Sequence, residues 1–152
     1  LGVVRHKGRE FVIADIPGLI EGAAEGAGIG DRFLGHVERT RVLLHLVDGS
    51  EDKPVEAYRV VRGELVDYGA GLADKAEIVA MTKADILDRK TLAKTVKALE
   101  KAYGAPVFAI SAPLEEGLGP LLDAIIERIG DAAREAREAQ PETASEKDWS
   151  PL

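Results

Sequence analysis

The chain has 152 residues, 45% hydrophobic and 31% charged, the balance of a single soluble globular domain with room for a buried core. A formal net charge of −7 gives no general cationic surface for phosphate backbones, and no apolar run approaches the roughly 20 residues of a membrane span, so neither direct nucleic-acid binding by this segment nor a membrane span is expected. The absence of cysteine removes disulfides and thiolate metal sites and makes a reducing cytoplasm the default compartment.

The opening Leu1-Gly2-Val3-Val4 has no initiator Met and no signal-peptide pattern, and reads as a start with sequence missing upstream. With the turn-like Arg5-His6-Lys7-Gly8 and the apolar Glu10 to Ala14, it predicts an antiparallel hairpin. Pro17 to Gly30 is glycine-rich without apolar period and predicts a mobile loop, after which Ile29, Phe33 and Val37 recur at helical spacing. Val42 to Val47 is a nearly continuous apolar run ending at Asp48-Gly49, as expected of a strand covered on both faces. A helix follows, with Pro54 in its first turn and Tyr58, Val61, Leu65 and Tyr68 on one face. Glu77 to Met81 is the next strand, and Leu92, Val96, Leu99 and Tyr103 mark the next helix. Pro106 to Ile110 is the last strand, leading through Gly117 into a helix with Leu118, Leu121, Leu122, Ile125, Ile126 and Ile129 inward. Beyond Ile129 a fraying helix and a disordered tail are expected, so the chain divides into a domain over 1–130 and an extension over 131–152.

Strands alternating with helices predict an α/β fold with a mainly parallel sheet, in which ligands gather beyond the carboxyl ends of the strands. Three strand ends carry polar signatures. Asp15-Ile16-Pro17-Gly18 has the form D-x-x-G: the carboxylate can hold Mg2+ through a water and the glycine admits a backbone N–H to a terminal phosphate. Alone, that tetrad marks only a turn. Thr82-Lys83-Ala84-Asp85 offers a carboxylate at Asp85 able to accept from two adjacent N–H donors, which guanine presents and adenine does not. The stem of Lys83 suits a base plane, although a helix start with an acidic first turn explains the tetrad equally well in isolation. Ser111-Ala112-Pro113 can present backbone N–H groups to a purine oxygen, or be a simple turn. The order and separation of all three are more specific than any one of them.

These tetrads resemble the third, fourth and fifth guanine-nucleotide motifs of the translation-factor-like GTPases. Asp15-Ile16-Pro17-Gly18-Leu19-Ile20-Glu21-Gly22-Ala23, the run Gly28-Ile29-Gly30 and Phe33 to Thr40 are similar to the Obg family, over about Leu1 to Ile129. The resemblance implies a P-loop GTPase-like, Ras-like three-layer sandwich, incomplete because the first strand, the phosphate loop and the first helix lie upstream. It implies GTP/GDP and Mg2+ as ligands, with Asp15 contacting the metal through water, and a cytoplasmic GTPase linked to the large ribosomal subunit. It also places the absent first strand between the strand of Phe11 to Ala14 and that of Val42 to Val47, leaving two unpartnered edges and an expectation of poor stability for this stretch alone.

Two positions depart from the common pattern: Thr82 stands where the fourth motif usually has Asn, and Leu19 where many GTPases carry a water-orienting Gln, so no catalytic residue is assigned. No G-x-x-x-x-G-K-[ST] occurs, so this stretch alone is expected to be inactive, and a non-catalytic interaction module on a G-domain frame is the alternative. His6, His36 and His45 show no ligand spacing, Glu115-Glu116 reads as a solvated loop, and Trp149 belongs to the tail.

Overall fold

A computed structural model describes residues 1–16, 39–69 and 71–140. Among them, strands β1 (Gly2–His6) and β2 (Arg9–Ile13) form an antiparallel hairpin closed by Lys7 and Gly8, both at positive φ as a tight two-residue turn requires. Arg5 and His6, read from sequence as part of the turn, are paired strand residues instead. The hairpin is a sheet of its own.

A second sheet has the parallel order β3 (Val42–Asp48), β4 (Ala76–Thr82), β5 (Phe108–Ala109). Helix α1 (Pro54–Tyr68) connects β3 to β4, α2 (Arg89–Tyr103) connects β4 to β5, and α3 (Leu118–Ala139) follows. The start of α2 is fixed by Asp88, whose carboxylate accepts from Thr91 N at 2.8 Å and from Thr91 Oγ1 at 2.9 Å, and its end by Gly104. β5 is shorter than the predicted Pro106 to Ile110: proline has no N–H to give a ladder, and only Phe108 and Ala109 pair with β4 as a strand. The helix over Ile129 continues unbroken to Ala139.

The central strand β4 divides the core by its period of two. Val79 and Met81, both at 0% exposure, pack with Val47, Tyr58 and Leu99 under α1 and α2. Ile78 and Ala80 face Ile110, Leu121 and Ile125 under α3, giving three layers. Phe11 of the hairpin and Val42 and Leu44 of β3 pack against this second cluster.

At the amino end of β4 a buried charge is shared by several elements. Glu77 accepts from Arg62 Nη1 at 3.1 Å and Tyr58 OH at 3.4 Å, while His45 Nδ1 stands 3.6 Å away, too far for a hydrogen bond. Burial pushes the Glu77 carboxyl up, but the His45 and Arg62 partners outweigh it and its pKa is lowered. Burial, then the nearby Glu77 charge, push the Tyr58 phenol up to about 12. Tyr58 stacks on His45 with ring centroids 5.0 Å apart, and Tyr103 OH donates to Glu77 O.

Candidate functional site

The register from Val42↔Ala76 to Asp48↔Thr82 makes the carboxyl ends of β3 and β4 flush. Gly49 N donates to Thr82 O at 3.0 Å, and a Cβ at Gly49 would stand 2.5 Å from that oxygen, so the crossing there demands glycine. Thr82 Oγ1 donates inward to Val47 O at 3.4 Å. On the other flank, Ile110 N donates to Met81 O at 2.9 Å, and Ala84 N donates to Ile110 O at 3.0 Å. That last bond joins the turn of Thr82-Lys83-Ala84-Asp85 to the strand end that opens into Ser111-Ala112-Pro113.

The two loops therefore form one rim. Lys83 turns the chain in the left-handed region, φ 58 and ψ 33, and Asp85 sits exposed in the 3-10 turn Ala84–Ile86 without a side-chain hydrogen bond among the described residues. Ser111 is fully buried, its N and O paired with Glu116 O and N at 3.0 Å each, while its hydroxyl has no partner among the described residues. This pairing leaves Ala112 and Pro113 exposed at the tip. Gly117, at φ 75, closes the loop where a Cβ would come within 2.3 Å of Ala109 O. An acceptor at Asp85 beside an exposed backbone tip suits the edge of a purine that donates two adjacent N–H groups.

Beside this pair is a feature that strand-end reading passed over. Asp48, the last residue of β3, accepts Lys83 Nζ at 2.8 Å, Ser50 N at 2.8 Å and Ser50 Oγ at 2.6 Å. The lysine hydrogen bond, then those from Ser50, hold its pKa down to about 2. The local signal was Asp48-Gly49-Ser50, an Asx-type turn directly after an apolar strand.

The third predicted site segment is placed elsewhere. Ile16, next to Asp15, packs against Leu43, Leu65 and Leu72, at the amino end of β3 and the last turns of α1. In this structure the Thr82 and Ser111 loops share one end of the sheet, and Ile16 packs at the other end of β3. The physical reason is that β2 has no ladder to the parallel sheet, so nothing in the backbone pairing carries Asp15 to the carboxyl ends. Pro17, Gly18, Leu19, the glycine-rich stretch and the helix expected around Phe33 lie outside the described residues, as do residues 141–152 with Trp149. A cavity of about 340 Å3 lined by Tyr58, Arg62, Lys75, Glu77, Tyr103 and Arg128, among others, opens at the amino end of β4, away from the rim. None of the described helices is long and apolar enough to cross a membrane.

A parallel sheet covered by helices on both faces, with a T-K-x-D turn bonded at the carboxyl rim to the strand end that leads into an S-A turn, defines a domain of the P-loop GTPase class. Comparison with known proteins agrees: the sequence profile described as "50S ribosome-binding GTPase" matches residues 1–83, and the chain belongs to that family. Over its whole length the chain is 61% identical to GTPase Obg of Rhizorhabdus wittichii, 53% to GTPase Obg of Zymomonas mobilis subsp. mobilis and 52% to GTPase Obg of Erythrobacter litoralis. It spans 43%, 43% and 44% of the lengths of these relatives.

Proposed function

We propose that this chain is the guanine-nucleotide-binding portion of an Obg-like GTPase that hydrolyses GTP to GDP, works in the cytoplasm and serves assembly of the large ribosomal subunit. The observation that carries the nucleotide reading is the Ala84 N to Ile110 O bond of 3.0 Å, which seats Thr82, Lys83, Ala84 and Asp85 beside Ser111, Ala112 and Pro113 on one rim. In this reading Asp85 accepts from the two donors on the guanine edge, the Ser111-Ala112-Pro113 tip faces the purine oxygen, and Lys83 lies along the base. The ribosomal role is supported by the family description and the compartment by the absence of cysteine.

Asp15, with Ile16, Pro17 and Gly18, is assigned to the phosphate and Mg2+ side. The donor chemistry suits that ion: Mg2+ is held by one or two carboxylates with water and nucleotide phosphates completing the shell, and Asp15 offers one such carboxylate. The ion would neutralise charge on the phosphates, and Asp15 would orient one of its waters. Leu19 has no polar group with which to position attacking water, so that function falls to another group. The 152-residue stretch alone, which contains no phosphate loop, is inactive in this reading. The placement of Ile16 at the amino end of β3 favours a second reading, an interaction module on a G-domain frame.

The test is Asp85→Asn in the complete protein, read by titration with a fluorescent GDP analogue. Two charge-assisted hydrogen bonds are lost, so guanine affinity should fall at least about 100-fold, while a xanthine nucleotide, whose C2 carbonyl accepts from the new amide, should bind better. Unchanged guanine affinity overturns the assignment, and a wild-type protein that binds no guanine nucleotide leaves the interaction module.

A further inference from the structure

We propose that Asp48 is a positioning residue for purine recognition: it clamps the ammonium of Lys83 so that the four-carbon stem of the lysine is laid along the rim as the shelf on which the base rests. This rests on the guanine reading of the rim. The geometry begins with the backbone. Lys83 leaves β4 in the left-handed region, which costs a residue with a Cβ, and the turn is held there by bonds on both sides, Gly49 N to Thr82 O and Ala84 N to Ile110 O, each 3.0 Å. The side chain is thereby sent back towards β3, where its Nζ meets Asp48 Oδ2 at 2.8 Å.

Asp48 is itself held. Its other oxygen accepts from both Ser50 N, at 2.8 Å, and Ser50 Oγ, at 2.6 Å, so the carboxylate has little freedom to follow a wandering lysine. The result is a relay, Ser50 to Asp48 to Lys83, across the tips of two strands whose ends are in register at Asp48↔Thr82.

The size of the effect decides what the pair is for. The side chains of Lys83 and Asp48 are 54% and 36% exposed, and an ion pair so open to water contributes little to folding. Immobilising a lysine, by contrast, costs rotamer entropy, which a preformed clamp removes from the cost of binding. The hydrogen bonds from Lys83 and Ser50 hold Asp48 at about 2, and its partner Asp48 raises the Lys83 pKa, so the clamp stays charged through the physiological range.

The experiment uses the complete protein and GDP, with a double-mutant cycle of Asp48→Ala and Lys83→Met, the second keeping an apolar stem without the charge. Asp48→Ala should weaken GDP about fivefold, mainly through faster release, and Ser50→Ala about twofold. In the Lys83→Met background Asp48→Ala should add nothing, and the unfolding midpoint of the nucleotide-free protein should not move. Asp48→Asn keeps the turn with Ser50 and should give the same loss as Asp48→Ala, which guards against a folding defect in the latter. Unchanged GDP affinity in both Asp48 variants, or losses that multiply in the double variant, overturns the proposal. If the wild type binds no GDP, the guanine reading itself fails and takes this proposal with it, an outcome distinct from wild-type binding that ignores Asp48.

Discussion

The parallel sheet and the hairpin are both β-structure rich in valine and isoleucine, yet they are held in place by different means. β3 and β4 share a continuous register from Val42↔Ala76 to Asp48↔Thr82, and the crossover helices α1 and α2 close over one face. Among the described residues the hairpin is paired only within itself, from Gly2↔Ile13 to His6↔Arg9. It meets the rest of the molecule through Phe11 at the α3 cluster, Ile16 at the amino end of β3, and His6 and Lys7 on Asp123 at 2.7 and 3.1 Å. A backbone ladder specifies position residue by residue, because a slip of one exchanges the two faces. Side-chain docking specifies much less. The rim loops, which depend on the ladder, come together; Ile16, which depends on the docking, packs at the other end of β3.

Substitutions separate the two regimes. The largest effect is expected from Leu99→Ala in the fully buried cluster under α1 and α2, about 3 kcal/mol of stability lost in urea denaturation, with faster exchange of the β4 amides. A loss below about 1 kcal/mol would mean that this layer is not the anchor.

Glu77→Gln tests the buried charge on which β3, β4 and α1 converge. At neutral pH it should cost about 2 kcal/mol, because Arg62 loses a charged acceptor in a half-buried setting. The folded pKa of Glu77 lies below the ordinary 4.5, so the advantage of wild type is fully present above pH 4.5 and lost as the pH falls through the folded value. Stability curves for the two proteins should converge in acid; parallel curves would show that the charge is not responsible.

The smallest effect is expected for Phe11→Ala, about 1 kcal/mol, and it should be local. Hydrogen exchange should speed up in β1 and β2 while β4 is unaffected. If β4 loosens equally, hairpin and sheet form one cooperative unit and the contrast drawn above is wrong.

The legible parts of the fold were those where one short segment carries its own pattern. β3 and β4 were evident as apolar runs bounded by polar tips, and α2 from Leu92, Val96, Leu99 and Tyr103 at helical spacing. Lys83 and Asp85 stand out in the sequence as candidates because a strand end in a parallel sheet is where ligands gather. Asp48 was passed over because its partner is 35 residues away in the chain, and only the register of β3 on β4 reveals the pair. The shortening of β5 is not encoded by the apolar residue types at Val107 and Ile110: only Phe108 and Ala109 have strand partners in β4, although Ile110 N still bonds Met81 O. The position of Asp15 depends on how a hairpin sits against a sheet to which it has no hydrogen-bonded ladder, and no local periodicity reports that.

The length of α3 has a mechanical consequence. Its apolar stripe ends at Ile129, but the helix runs on to Ala139, and from Arg134 onward every residue is exposed. At 1.5 Å per residue, these last six residues form a rigid rod about 9 Å long standing in solvent. Such a projection has no core contact of its own, so the position of its far end is set where Leu121 and Ile125 grip the sheet.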